Sequence, residues 1–165
     1  MDPSQLAAFE ARLQRLEDLA EIQQLFVDYG RYLDRGDFAS YAHLFAVDGE
    51  LDLGATGKAT GRDAISATME TSMAPLAGSF VHVVSSPAVE LHGDTATSEV
   101  MWTAVRLGSN GKPQVTMVGR HLDDLVREDG RWLIRRRRGV LDLPSEHRGS
   151  GWDGDLEGLR AGRGG

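Results

Sequence analysis

Histidine and aspartate are the strongest candidates for chemistry in this sequence, because it contains no cysteine. His82 lies in the apolar segment 79–84, where strand alternation places Phe80, His82 and Val84 on one face. An imidazole among such neighbours needs a hydrogen-bond partner for each ring nitrogen. Two interpretations follow: a core histidine bonded to backbone groups, or a general base that faces a cavity.

Asp34 is the second candidate, because it stands at the end of the first predicted helix, just before Gly36. A carboxylate is unfavourable at a helix C-terminus, so another interaction must favour it there. Asp34 is either an exposed acid before a turn or a carboxylate that orients His82. In the second case it would fix the histidine tautomer and stabilise the imidazolium, which makes the other ring nitrogen a stronger base.

Several aromatic and polar side chains are candidates to line a cavity together with His82. His121 shares a strand face with Met117 by alternation, and it is either a cavity residue or a surface residue. No pair of histidines has the spacing of a metal site on a helix or in a zinc finger, so we expect no metal and no cofactor. The predicted ligand-binding residues are Tyr29, Tyr32, Trp102, Met117, His121 and Arg137.

Four consecutive arginines, Arg135 to Arg138, form the most conspicuous charged run. The net charge of −7 and the pI near 5.2 argue against a nucleic-acid partner, which would require a broad cationic surface. Strand alternation predicts two of these arginines on the solvent side and two facing the helices or the cavity. An inward arginine such as Arg137 would bind an anionic oxygen of a ligand or pair with a buried acid.

The length and composition limit the classes of protein to which this chain can belong. A length of 165 residues suits one domain, and 41% hydrophobic with 26% charged residues is near the globular average. No apolar run approaches the roughly 20 residues that span a bilayer, and the N-terminus lacks the basic and apolar regions of a signal peptide. We therefore expect a cytoplasmic protein with no membrane partner.

The helical segments come first in the chain. Apolar spacing predicts a long first helix with Ser4 as N-cap that ends at Gly36. Within it, residues 1–15 form a helical arm, whose apolar stripe either continues the helix face or packs on a partner subunit. The stripe begins in the arm, continues past its end and consists of Leu6, Phe9, Leu13, Leu16 and Ala20.

Shorter elements follow the first helix. Asp37 is the predicted cap of a second helix, Asp48-Gly49 is a turn signal, and residues 50–53 alternate like a short strand. The inward side chains of the second helix are predicted to be Phe38, Tyr41, Leu44 and Phe45. A third helix is predicted over residues 62–73 and is closed by Pro75.

The rest of the domain reads as strands joined by tight turns, which indicates an antiparallel meander. The predicted strands cover residues 80–91, 95–107, 115–127 and 132–141. Segregated helices and strands define an α+β class, with three N-terminal helices packed on a strongly curved antiparallel or mixed sheet. We expect the domain to span residues 1–143, followed by a glycine-rich, mobile tail over 144–165.

The order of these motifs resembles the SnoaL-like branch of the nuclear-transport-factor-2-like superfamily, which has a cystatin-like, cone-shaped α+β barrel. The resemblance runs from about Leu16 to about Leu141. It rests on the end of the first helix, Tyr-Leu-Asp-Arg-Gly-Asp-Phe at 32–38, and on the segments at 44–49, 61–65, 79–84 and 128–132. Within that superfamily, the chain resembles in motif the scytalone dehydratases, the bile-acid 7α-dehydratases and the hexachlorocyclohexane dehydrochlorinase.

The resemblance implies a cavity base. Asp34 and His82 fall on the aspartate and histidine positions of these enzymes, so the resemblance identifies them as a catalytic pair. His121 falls near a polar cavity position, and Arg137 is similar in place to a strand arginine of the dehydrochlorinase. Two tyrosines that polarise a substrate carbonyl in the scytalone enzymes are replaced here by Leu33 and Leu53.

The expected function is therefore a cofactor-free lyase or isomerase that abstracts a proton, as a dehydratase, cyclase or double-bond isomerase. Its substrate would be a small hydrophobic ring compound such as a steroid, polyketide or aromatic. Two alternatives come from the same superfamily: a non-catalytic ligand-binding or oligomerisation module, and the small subunit of a ring-hydroxylating dioxygenase. The resemblance also implies a homodimer or homotrimer.

Overall fold

A computed structural model describes residues 2–143, so the predicted tail over 144–165 lies outside the described residues. This part of the chain contains three α-helices and a six-stranded sheet. The helices are α1 (Pro3–Arg35), α2 (Phe38–Ala42) and α3 (Arg62–Met73). The strands are β1 (Phe45–Asp52), β2 (Lys58–Thr60), β3 (Phe80–His92), β4 (Thr95–Leu107), β5 (Pro113–Glu128) and β6 (Arg131–Leu143).

Helix α1 runs without a break, and its apolar side chains are buried in its second half but exposed in its first. Its N-cap is Asp2, in a capping box with Gln5, so the predicted cap at Ser4 is wrong. The predicted end is confirmed, because Gly36 adopts φ +70° and closes the last turn. The second half of α1 buries an apolar stripe against the sheet, composed of Ile22, Leu25, Phe26, Tyr29 and Leu33.

The apolar stripe of the arm continues the same helix but is exposed. Leu6, Phe9, Leu13 and Leu16 are between 46% and 64% exposed. The arm therefore leaves apolar surface open that the domain itself does not cover.

The segment between α2 and α3 differs from the prediction. Helix α2 ends at Ala42, and Phe45 begins β1 instead of completing the helix. The Asp48-Gly49 pair lies inside β1, at a register shift between Phe45 and Glu50. A Cβ at Gly49 would lie 2.9 Å from Phe45 Cβ and 3.0 Å from the carbonyl oxygens of Ala46 and Ile134, so the signal marks a bulge and not a turn.

The sheet has the order β2-β1-β6-β5-β4-β3. Strands β3 to β6 form the predicted antiparallel meander, while β1 pairs in parallel with β6, so the sheet is mixed. The helices pack against one face of this curved sheet, and the apolar core lies between the two layers. The predicted α+β architecture is confirmed. No helix among residues 2–143 combines the length and apolar character needed to cross a membrane.

Candidate active site

Helices α1 to α3 and the inner face of the sheet enclose a cavity of about 160 Å³. Its walls are mostly apolar, and its polar groups come from a few side chains. The lining residues from the helices and from the connection between β1 and β2 are Tyr29, Leu33, Tyr41, Leu53, Thr56, Met69 and Met73. Those from the long strands are His82, Trp102, Met117, His121, Gly139, Val140 and Leu141.

His82 and Asp34 meet at this cavity. The Nδ1 atom of His82 lies 2.7 Å from Asp34 Oδ1, and the backbone N–H of His82 donates to the same carboxylate at 3.0 and 3.2 Å. The side chains are 5% and 22% exposed, respectively. The structure thus favours a histidine oriented by a carboxylate over a histidine held by backbone carbonyls and an exposed acid.

Two local features bring this pair together across a sequence separation of 48 residues. Gly36 stops α1 one turn after the buried Leu33, which leaves Asp34 at the edge of the core. Helix α1 lies directly against β3 at Gly30, where a Cβ would make ordinary contacts with Val84 Cγ2 at 3.4 Å and His82 Cβ at 3.9 Å.

The other ring nitrogen of His82, Nε2, has no hydrogen-bond partner among residues 2–143, and the ring lines the cavity. Aromatic side chains surround the imidazole. The ring centroids of Phe80, Tyr29 and Trp102 lie 5.1, 5.9 and 6.3 Å from that of His82. The imidazole is therefore fixed on its Asp34 side and open to a ligand on the other.

His121 forms a second polar centre in the cavity. It is 3% exposed, and its Nε2 atom lies 2.9 Å from the Tyr29 hydroxyl. Burial, together with the charge of Arg137 and the proximity of His82, lowers the pKa of His121 well below its usual 6.5, so the ring is neutral. Burial also raises the pKa of Tyr29, so its hydroxyl keeps its proton.

Arg137 lies beneath the cavity and does not line it. It is fully buried, and its guanidinium donates to both carboxylate oxygens of Asp123, at 2.8 and 2.7 Å. It also stacks under the ring of Tyr29, with Cζ 4.8 Å from the centroid. Of the two roles predicted for an inward arginine, the structure favours pairing with a buried acid.

The prediction of two inward arginines is wrong. The pairing of β5 with β6 shifts register between Asp124 and Leu125, so Arg135 stands at a bulge where alternation breaks. Arg135 and Arg136 are exposed and pair with surface acids, and Arg138 is exposed as well.

Four of the six predicted ligand-binding residues line this cavity, namely Tyr29, Trp102, Met117 and His121, whereas Tyr32 and Arg137 do not. Tyr32 lines a separate groove between α1 and α2, beside Gln24 and His43, so its predicted role in the cavity is wrong. Helical spacing placed Tyr32 on the buried stripe of α1, but the residue lies just outside that stripe. Leu33 and Leu53 do line the cavity, so these positions supply no hydroxyl.

Several lining residues were not predicted as part of the site. Tyr41 was expected to face inward, but helical spacing alone does not distinguish a core position from a cavity position, and Met69 received no such prediction. Gly139 carried a usable signal, because a glycine inside a strand often marks close approach of a ligand or another chain segment. Among the described residues, no group of three or more His, Asp or Glu side chains is placed to hold a metal ion.

Comparison with known proteins agrees with this architecture. Residues 14–138 match the SnoaL-like domain family, and the chain belongs to this family. An uncharacterized protein of Mycobacterium tuberculosis is 30% identical over 141 residues, which cover 83% of this chain and 90% of that protein.

Two solved structures extend the comparison. An NTF2-like protein with a cystatin-like fold from Novosphingobium aromaticivorans is 32% identical, with a TM-score of 0.76, covering 88% of this chain and 93% of that one. A hexachlorocyclohexane dehydrochlorinase is 17% identical, with a TM-score of 0.70, covering 79% and 89%, and this likeness shows the shared fold.

Proposed function

We propose that the protein is a cofactor-free lyase or isomerase in which His82, held by Asp34, removes a proton from a carbon atom next to an activating group. The observation that supports this most is the 2.7 Å contact between His82 Nδ1 and Asp34 Oδ1, made at the wall of an apolar cavity. A carboxylate on Nδ1 keeps the proton there, which leaves the lone pair on Nε2 to accept the substrate proton.

The proposed step breaks one C–H bond. The proton passes to His82 Nε2, and the electron pair moves into the activating group of the substrate. Asp34 stabilises the resulting imidazolium. Return of the proton to another carbon completes an isomerisation, whereas its delivery to a departing hydroxyl group completes a dehydration with release of water.

The size and lining of the cavity favour a small apolar ring compound. Its volume of about 160 Å³ is below the roughly 300–1,000 Å³ of sites for drug-sized ligands and near the roughly 150 Å³ of a cavity that takes up benzene. Three methionines, Met69, Met73 and Met117, line the cavity and adapt readily to ligand shape. One ring, or two fused rings, therefore fits better than a four-ring steroid.

Deuterium uptake by 2-tetralone in D₂O, followed by proton NMR, tests this proposal. The probe has two fused rings and exchangeable C–H bonds next to its carbonyl. We expect the wild-type protein to accelerate exchange, and His82→Gln to lose roughly 10²–10⁴-fold of that rate, the usual contribution of a general base. His43→Gln is the matched control, because His43 is exposed and outside the cavity.

Equal exchange rates for wild type and His82→Gln would contradict the proposal. Tight binding of 2-tetralone without any exchange in the wild-type protein would instead favour a ligand-binding module of the same fold.

A further inference from the structure

Two buried nitrogen atoms of cavity-lining residues have no hydrogen-bond partner among the described residues: Trp102 Nε1 and His121 Nδ1. Leaving a buried polar group unpaired costs about 1–3 kcal/mol, so buried groups of this kind are normally paired. Both residues line the cavity, and their rings stack with centroids 5.8 Å apart and planes 28° apart. The unpaired atoms therefore belong to one stacked pair of side chains.

Both unpaired atoms are donors. The indole Nε1 atom carries a hydrogen, so it can donate a hydrogen bond but cannot accept one. A neutral His121 carries one hydrogen, and its Nε2 contacts the Tyr29 hydroxyl, which keeps its own proton. If that hydroxyl donates to Nε2, a single group, Nδ1–H, stays unpaired, whereas the opposite tautomer would leave both the hydroxyl hydrogen and Nδ1 unpaired. The first arrangement is the more stable one.

Two glycines lie beside these donors, and neighbouring groups fill the space that a Cβ would take at each. Gly139 pairs with His121 across β5 and β6, and a Cβ on it would lie 3.7 Å from His121 Nδ1 and 2.7 Å from Leu53 Cδ2. Gly119 pairs with Trp102 across β4 and β5, and a Cβ on it would overlap the indole ring and the Val140 carbonyl. Glycine at 119 thus lets the indole lie on the sheet, and glycine at 139 makes room for the Leu53 side chain beside the imidazole.

We infer that Trp102 Nε1–H and His121 Nδ1–H together bind an oxygen atom of the substrate. The substrate class is thereby narrowed to ring compounds that carry a carbonyl oxygen near the C–H bond that breaks. This oxygen site extends the proposed function. Binding of the oxygen atom by the two donors does not, however, require His82 to act as a base. In the proton-transfer step, the C–H electron pair forms a C=C bond, and the carbonyl π pair moves onto the oxygen held by the two N–H groups.

The test compares the affinities of two probes, 2-tetralone and tetralin, which share a ring system but differ in the carbonyl oxygen. Isothermal titration on wild type, Trp102→Phe and His121→Phe gives both affinities. We expect each substitution to weaken 2-tetralone binding roughly 5–10-fold relative to tetralin, as loss of one hydrogen bond predicts. Met117→Leu is the control, because it alters the lining without removing a donor, and it should change both affinities alike.

A spectroscopic measurement separates hydrogen bonding from packing. The ¹³C shift of carbonyl-labelled 2-tetralone should lie further downfield in the wild-type complex than in either donor variant.

Three outcomes would overturn the oxygen site: wild type that binds neither probe, donor variants that lose affinity for both probes equally, or an unchanged carbonyl shift. The variant His82→Gln separates this inference from the proposed function. It should keep the affinity for 2-tetralone and lose only the deuterium exchange. Retained exchange in His82→Gln, together with weakened binding in the donor variants, would refute the base and leave the oxygen site standing.

Discussion

Replacing Asp123 with asparagine would leave the guanidinium of Arg137 buried without its counter-charge. Both side chains are fully buried, and two hydrogen bonds of 2.8 and 2.7 Å join them. Removing one partner of a buried ion pair typically costs about 3–5 kcal/mol, because the remaining charge loses its solvation and gains nothing in return. Such a loss is a large part of the roughly 5–15 kcal/mol that stabilises a domain.

The chain offers a matched control on its surface. Arg120 also donates two hydrogen bonds to one carboxylate, that of Asp142, but the side chains are 36% and 29% exposed. Solvent screens this pair, so Asp142→Asn should cost only about 0–1 kcal/mol. The two substitutions remove the same chemical group and differ in burial.

Urea unfolding followed by tryptophan fluorescence measures the difference. With a slope of roughly 1–3 kcal/mol per molar urea, Asp123→Asn should lower the unfolding midpoint by about 2 M, and Asp142→Asn by less than about 0.5 M. The double variant Asp123→Leu/Arg137→Met should recover most of the loss, since it removes both buried charges. Equal midpoints for Asp123→Asn and Asp142→Asn would refute the reasoning.

Two further predictions concern pH and assembly. Burial keeps the pKa of His121 below 6.5 in the folded protein, so below that pH the residue takes up a proton when the protein unfolds. This uptake lowers the free energy of unfolding by about 1.4 kcal/mol for each unit by which the pH falls below 6.5. His121→Phe should remove that part of the slope in urea unfolding between about pH 7 and about pH 5, and an identical slope would contradict it. We also predict that the exposed arm joins copies of this chain, so Phe9→Glu/Leu13→Glu should reduce the mass measured by light scattering, whereas Glu10→Gln should not. A monomeric wild type, or an unchanged mass, would be inconsistent with that role.

Local signals in the sequence were sufficient for the element order and for several boundaries. Gly36 ended α1 as predicted, because a left-handed residue after the last turn needs no partner elsewhere in the fold. Strand β4 and helix α3 have the predicted bounds, since alternation and helical spacing depend only on near neighbours. The bulges at Gly49 and Arg135 were not predicted, because the packing of one strand on another decides where the extra residue is placed.

The site was only partly predictable for the same reason. Residue types at 34 and 82 left two interpretations each, and family resemblance joined them into a pair. The geometry that unites them depends on the packing of α1 against β3, which joins residues separated by 48 positions in the chain. The unpaired nitrogens of Trp102 and His121 have no sequence signature, because pairing depends on every neighbour in the cavity.

The most direct test of the account is whether His82 and Asp34 act as one base. Deuterium uptake by 2-tetralone should be measured for His82→Gln, Asp34→Asn and the double variant, with Asp28→Asn as a control on the same helix but outside the cavity. Groups that act as a unit are not additive, so we predict that the double variant exchanges no more slowly than His82→Gln alone. An Asp34→Asn variant with the wild-type rate, or losses that multiply in the double variant, would contradict the account.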